Sequence, residues 1–148
     1  MIVIKKITAD ELYPIRHEIL RKGETFEKCI YPNDNAASTF HLGLYEDAVL
    51  AGVVSVFQTK SVVFKDEKQF QIRGMAVLNK HQKKGYGAAL VREVESYLKA
   101  NENNYTLWFN ARIIAVGFYE KMGFEKIGNA FEIDTIGIHY IMYKKQHD

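Results

Sequence analysis

Hydrophobic and polar positions alternate along the chain with the periods of strands and helices in turn. Residues 2–7 have the alternation of a short strand. The next apolar residues have helical spacing, and Thr8 or Asp10 is the expected N-cap of that helix. Residues 23–39 show neither the strand period nor the helix period and are rich in turn-forming residues. We therefore expect a loop there with at most a short helix.

Six further strands are expected from apolar runs bounded by turn residues: Phe40–Glu46, Val49–Phe57, Phe70–Leu78, Tyr105–Asn110, Glu125–Ile133 and Gly137–Lys144. Two more helices fall between these strands. One follows the turn 79–87 and ends near Asn101, and the other spans 111–122, with Gly123 as its left-handed C-cap. Because strands and helices alternate, the sequence predicts an α/β or α+β fold with a mixed sheet.

Composition excludes several function classes. The 148 residues suit a single domain, and the apolar and charged fractions of 47% and 26% are ordinary for a soluble protein. A net charge of +2 argues against a general nucleic-acid-binding surface. No apolar stretch has the length of a membrane span or signal peptide, and the single Cys29 fits a reducing compartment. We therefore expect a cytoplasmic protein with no nucleic-acid or membrane partner.

The segment 69–100 combines a predicted strand, a glycine-containing turn and a predicted helix. A helix that begins in this way has unpaired N–H groups at its start, and these groups and the helix dipole bind phosphates. No acidic residue lies between Glu67 and Glu93, whereas six basic residues do: Lys68, Arg73, Lys80, Lys83, Lys84 and Arg92. Since the whole chain is nearly balanced in charge, we interpret this local cationic segment as an anion site.

Three phosphate-binding motifs can be compared with this turn. A Walker A loop ends in Gly-Lys-Ser/Thr, whereas the order here is Lys84-Gly85-Tyr86. A dinucleotide fingerprint needs a third glycine where this chain has Leu90. The remaining pattern, Gln82-x-x-Gly85-x-Gly87-Ala88, resembles the pyrophosphate loop of the GNAT superfamily of N-acetyltransferases.

A second segment agrees with that resemblance. Asn110 ends a predicted strand, and the helix that follows carries Phe118-Tyr119 and closes with Gly123-Phe124, which is similar to the superfamily's second signature. The spacing and the order of elements also match, so the resemblance covers most of the chain. It extends to a bacterial branch with an Arg-Gly-Met-Ala central strand, here Arg73–Ala76.

The resemblance implies a fold and an activity. The fold would be a mixed, mostly antiparallel twisted sheet of six to seven strands, splayed at its centre and flanked by three to four helices. Residues 1–148 would form one acyl-CoA N-acyltransferase domain. Acetyl-CoA would be the co-substrate, and the acceptor would be a primary amine of a small molecule or peptide that attacks it directly. No metal is expected, because the five histidines have no paired spacing. Dimers are common in the superfamily, which leaves a homodimer open.

The family's cofactor contacts can be carried over to matching positions. Backbone groups of Met75, Ala76 and Val77 would line the pantetheine arm, and Asn110 would bind the arm or its thiol end. The pyrophosphate would lie against the turn: Gln82, Lys83, Lys84, Gly85, Tyr86, Gly87 and Ala88. Two alternatives stay open, because the lysines also suit a solvated turn and Asn110 also suits a helix cap.

The same comparison suggests catalytic residues. Tyr119 would act as the general acid that protonates the departing thiolate, although a core tyrosine would have the same spacing. The central strand carries Gln71 and Arg73 where family members often have a carboxylate base. The remaining base candidates are Glu132, His139 and His41, and each of them also suits a structural or substrate-contacting role. Substrate candidates are Arg73, which would suit a carboxylate, with His41 and Trp108.

The missing carboxylate keeps a second hypothesis open, namely an acyl-CoA-binding or sensor module without catalysis. A phosphoryl-handling enzyme is a weaker third hypothesis, because no acidic metal-ligand cluster accompanies the turn.

Overall fold

The computed structural model describes residues 1–147, which form seven strands and three α-helices. In chain order they are β1 Ile2–Ile7, α1 Ala9–Leu20, β2 Phe40–Glu46, β3 Val49–Phe57, β4 Gln69–Val77, α2 Tyr86–Asn101, β5 Tyr105–Arg112, α3 Val116–Lys121, β6 Glu125–Ile133 and β7 Gly137–Gln146. Short 3-10 turns lie at Phe26–Cys29, Asn79–His81 and Ile113–Ala115.

The strands form one sheet in the order β1-β2-β3-β4-β5-β7-β6. Strands β1 and β3 flank β2 in antiparallel pairs, and β5 and β6 flank β7 in the same way. Strands β4 and β5 are parallel, and their pairing joins only Gln69–Gln71 to Thr106–Trp108 although the strands are nine and eight residues long. The expected mixed, mostly antiparallel fold is therefore confirmed.

The chain divides into two compact units. The first consists of Met1–Phe57 and Ile72–Asn101, and the second of Gln58–Gln71 together with the residues from Glu102 onward. The single domain expected over residues 1–148 stays a prediction.

In the first unit, α1 begins where the sequence predicted. Thr8 Oγ1 accepts a hydrogen bond from the Glu11 N–H at 3.2 Å, and Glu11 Oε1 accepts one from the Thr8 N–H at 2.9 Å. This capping box satisfies two backbone donors at the helix start, so Thr8 is the N-cap and Asp10 lies in the first turn. The helix buries Leu12 among Ile7, Ile15 and Val53.

In the second unit, the helix expected over 111–122 begins only at Val116, which corrects the sequence prediction. Strand β5 continues to Arg112, because Ala111 and Arg112 pair with Tyr140 and His139 of β7. Residues that pair with β7 in the sheet cannot also form the first turn of the helix. The predicted end is confirmed: Gly123 has φ +96° and the Phe124 N–H donates to the Tyr119 carbonyl.

Candidate functional site

The predicted anion loop lies in the first unit, between β4 and α2. The Gly85 carbonyl accepts the first helical bond from the Ala89 N–H at 3.0 Å. The N–H groups of Lys84 through Ala88 donate to no acceptor among the described residues. Lys83 and Gly85 have φ values of +66° and +79°, and such left-handed residues turn successive N–H groups into an anion-binding concavity. The loop can therefore hold a phosphate group through its backbone.

The side chain of Gln82 ties this loop to the end of β4. Its amide nitrogen donates to the Val77 carbonyl at 2.9 Å and lies 3.1 Å from Asn79 Oδ1. Gln82 thus fixes the loop geometry, and its direct contact with a pyrophosphate stays a prediction.

A cluster around Glu46 also holds the loop, and sequence reasoning missed it. Tyr86 donates its hydroxyl hydrogen to Glu46, Lys84 Nζ lies 3.0 Å from Glu46 Oε1, and His81 Nδ1 lies 3.2 Å from Oε2. The Tyr86 hydrogen bond, followed by Lys84, lowers the pKa of Glu46 to about 2. Lys84 is thereby paired with Glu46, which leaves Lys83, and Lys80 in the preceding 3-10 turn, without a carboxylate partner among residues 1–147.

The Glu46 cluster makes stability sensitive to acid. The folded-state pKa of Glu46, about 2, lies below the ordinary 4.5. The stabilisation that the ionised carboxylate provides is therefore complete above pH 4.5 and is lost as the pH falls toward 2. We expect the difference in urea midpoint between the native chain and Glu46→Gln to shrink across this interval.

The matched control for that measurement is Glu67→Gln, because Glu67 is 93% exposed and forms an ion pair with Lys60 at 3.0 Å. A Glu46→Gln difference that stays constant from pH 4.5 to 2 would contradict the role given to this carboxylate.

Strand β4 brings the predicted pantetheine contacts next to the loop. Ala76 is buried, and Met75 and Val77 are half-buried. A Cβ on Gly87 would lie 3.7 Å from Met75 Cε, so the methionine packs against the start of α2. The contact of these backbone groups with a pantetheine arm stays a prediction.

Tyr119 lies on α3 in the second unit. Its ring centroid is 4.5 Å from that of Phe109 and 5.0 Å from that of Phe118. Burial raises the pKa of Tyr119 above the ordinary 10. Its hydroxyl makes no hydrogen bond to the described residues. The phenol therefore keeps its proton at neutral pH and can donate it to a bound group.

The last hairpin separates the two base candidates that it carries. Glu132 faces Ile138 and Phe131 faces His139, so Glu132 and His139 lie on opposite faces. His139 is buried, and its Nδ1 donates to the Gly137 carbonyl at 2.8 Å, which leaves the neutral ring a lone pair on Nε2. Either residue retains a basic atom, but they do not form a pair.

Strand β5 carries the two other candidates of the second unit. Asn110 is exposed and faces Ile141 of β7, on the sheet face that His139 shares. Trp108 is buried, and its indole N–H donates to the Thr59 carbonyl at 2.9 Å. The contacts of Trp108 favour a structural role, and its contact with a substrate stays a prediction, as does the contact of Asn110 with the pantetheine arm or its thiol end.

His41 and Arg73 belong to the first unit. His41 is buried, its Nε2 donates to the Asp34 carbonyl at 2.9 Å, and its Nδ1 lies 2.7 Å from Ser55 Oγ. Burial lowers the pKa of His41, and both ring nitrogens are engaged, so its geometry favours a structural role over that of a base. Arg73 is exposed, and its guanidinium carbon lies 4.6 Å from the Tyr31 ring centroid.

Within residues 1–147, no three His, Cys, Asp or Glu side chains gather as metal ligands would. No helix of this part of the chain is both long and apolar enough to cross a bilayer.

Known proteins share these features. The model of the acetyltransferase (GNAT) domain family matches residues 5–146. The uncharacterised N-acetyltransferase YitI of Bacillus subtilis is 34% identical over 144 residues, which cover 97% of this chain and 96% of the relative. Escherichia coli ElaA superposes with a TM-score of 0.71 at 15% identity, over 97% of this chain and 99% of the other. An Arabidopsis thaliana protein solved in complex with acetyl-CoA superposes with a TM-score of 0.70 at 16% identity, over 98% of both chains. The chain therefore belongs to the GNAT family of acetyltransferases.

Proposed function

We propose that this chain transfers an acetyl group from acetyl-CoA to a primary amine of a small molecule or peptide. The observation that carries the proposal is the run of unpaired N–H groups from Lys84 to Ala88 at the start of α2, in a chain of the GNAT family. Such a run suits the pyrophosphate of CoA, because several backbone donors converge with the positive end of a helix dipole.

The backbone supplies most of the cofactor contact in this proposal. The amides of Lys84 to Ala88 hold the pyrophosphate, Gln82 orients the loop, and Lys83 adds a charge. Backbone groups of Met75 to Val77 and the side chain of Asn110 bind the pantetheine arm.

The reaction is a direct transfer that needs no enzyme nucleophile. The amine nitrogen attacks the thioester carbonyl carbon, and the carbon–sulfur bond breaks to release a thiolate. The nitrogen loses one proton to a base, and the Tyr119 hydroxyl gives one proton to the sulfur. The raised pKa of Tyr119 keeps this phenol protonated until the thiolate forms.

The exposed Glu132 and the Nε2 atom of His139 are the base candidates whose geometry leaves a proton acceptor available. Either can act directly or through a water molecule. Because the two side chains lie on opposite hairpin faces, Glu132→Gln and His139→Gln separate them: only the variant that removes the base lowers the rate.

The proposal is tested by mixing the protein with acetyl-CoA and a panel of primary amines, and by following both the released CoA thiol and the acetylated amine. We expect at least one amine to give equal amounts of the two products. Thiol release that no amine accelerates would contradict acetyl transfer.

A further inference from the structure

Arg73 is a cation on β4 without an acidic partner among residues 1–147. Its guanidinium carbon lies 4.6 Å from the Tyr31 ring centroid and 5.7 Å from that of Phe57. Its N–H groups donate to no described acceptor. Aromatic contacts of this kind fix the position of a guanidinium without using its N–H donors. Arg73 is therefore held in place with its hydrogen-bonding capacity unused.

Tyr31 belongs to a cluster built around a buried ion pair. Arg16 and Asp34 are both almost completely buried, and Arg16 Nη1 lies 2.7 Å from Asp34 Oδ2. The Tyr31 N–H donates to the same carboxylate at 2.7 Å, and the Arg16 guanidinium carbon lies 3.9 Å from the Tyr31 ring centroid. We use the term Tyr31 platform for Arg16, Asp34 and Tyr31. Its buried hydrogen bonds fix the ring on which Arg73 rests.

Gly74 lets β4 approach the Tyr31 platform. It has φ +63°, and a Cβ at this position would lie 3.2 Å from Arg16 Nε and 3.5 Å from the Tyr31 ring. A positive φ within a strand is typical of a bulge, which changes the direction of the neighbouring side chain. The glycine thus accounts for the position of Arg73 over Tyr31.

We infer that Arg73 binds a carboxylate of the acceptor, so the acceptors are small molecules that carry both a primary amine and a carboxylate, such as free amino acids. This inference rests on the proposed function. A guanidinium offers two parallel N–H donors that match the two oxygens of a carboxylate.

The spacing along β4 places Arg73 near the proposed cofactor segment. Arg73 precedes Met75 by two residues, and two residues of a strand span about 7 Å. Met75 begins the backbone segment proposed to contact the pantetheine arm. A carboxylate on Arg73 therefore leaves an amine of the same small molecule within reach of this segment.

Matched pairs of amines test the inference. Each pair consists of an amino acid and its carboxamide, which differ in the charge and the acceptor atoms of the carboxyl group. The carboxamide also lowers the pKa of the neighbouring amine, so KM is expressed per unprotonated amine. For the native chain we expect KM for the amino acid to be about 10-fold or more below KM for its amide, since hydrogen bonds to charged groups have effects of this size. Arg73→Ala should remove this difference by raising KM for the amino acid, and should leave KM for the amide and for acetyl-CoA unchanged.

Two further variants complete the experiment. Arg73→Lys keeps the positive charge but loses the two parallel N–H donors of the guanidinium. Its KM for the amino acid should therefore lie between the values for the native chain and for Arg73→Ala. Lys99→Ala removes an exposed cation at the end of α2 and should change nothing. Thermal midpoints of all variants verify that each is folded.

Two results overturn the inference while the proposed function stands: equal KM values for both members of every pair, or a preference that persists in Arg73→Ala. Failure of the native chain to acetylate any amine overturns the proposed function itself, and the inference with it.

Discussion

Tyr119→Phe is expected to lower kcat for acetyl transfer by about 10²–10⁴-fold and to leave the affinity for acetyl-CoA unchanged. Phenylalanine keeps the ring contacts with Phe109 and Phe118 and removes only the hydroxyl. Without this acid the thiolate must leave unprotonated. The measurement is the initial rate of thiol release at saturating acetyl-CoA, together with the dissociation constant from calorimetry.

The matched control is Tyr143→Phe, since Tyr143 packs against Phe64 at 5.3 Å in the same unit. This variant should keep the native rate. In the native chain, the rate should also fall only at a pH above 10, because burial raises the pKa of Tyr119 and the acid is lost by deprotonation. A Tyr119→Phe variant with native kcat would exclude Tyr119 as the acid. A native chain that binds acetyl-CoA but turns over no amine would favour the binding-module hypothesis.

Asp34→Asn is expected to destabilise the protein by about 3–5 kcal/mol, because it leaves the Arg16 charge buried and uncompensated. The carboxylate lies within hydrogen-bond distance of Arg16, of the Tyr31 N–H at 2.7 Å and of the Tyr13 hydroxyl at 3.2 Å. A loss of this size is a large part of the stability of a typical domain. Urea unfolding followed by circular dichroism measures it.

Asp47→Asn provides the comparison for Asp34→Asn. Asp47 pairs with the N-terminal ammonium at 2.6 Å, but its side chain is 77% exposed, and asparagine tolerates its φ of +49°. This change should alter the free energy of unfolding by less than about 1 kcal/mol. Equal losses for the two variants would mean that the Asp34 ion pair does not stabilise the Tyr31 platform.

Local patterns predicted the regular elements well. Strands Phe40–Glu46 and Val49–Phe57 have the predicted bounds, because their apolar runs are interrupted by one polar turn. The start of α3 was wrong for a physical reason: residues 111 and 112 pair with β7, which lies about thirty residues later in the chain. No local pattern contains that information.

Residues of the candidate site could be predicted only where they belong to a recognisable sequence motif. The loop from Gln82 to Ala88 and Tyr119 stood out because the family's spacing includes them. The Tyr31 platform could not be recognised in the sequence, since Arg16 and Asp34 are 18 residues apart and meet only after the loop 23–39 has folded. Glu46 and Tyr86 are separated by 40 residues, and nothing in either neighbourhood points to the other.

Gly85 allows the role of the loop in cofactor binding to be tested by one substitution. Gly85 and Gly23 have φ values of +79° and +84°, and a Cβ on either would meet nothing within 4 Å. Alanine at each position therefore carries the same backbone strain, about 1–2 kcal/mol. Only Gly85→Ala changes the proposed pyrophosphate loop, so it alone should weaken acetyl-CoA binding.

The most direct test of acetyl-CoA use is the thermal midpoint with and without saturating acetyl-CoA, because it requires no knowledge of the acceptor. At one hundred times its dissociation constant, the ligand stabilises the folded state by about 2.7 kcal/mol. For a domain of this size we expect the midpoint to rise by roughly 5–10 °C, with a smaller rise for Gly85→Ala and the full rise for Gly23→Ala. An unchanged midpoint of the folded native chain would contradict acetyl-CoA binding, and acetyl transfer with it.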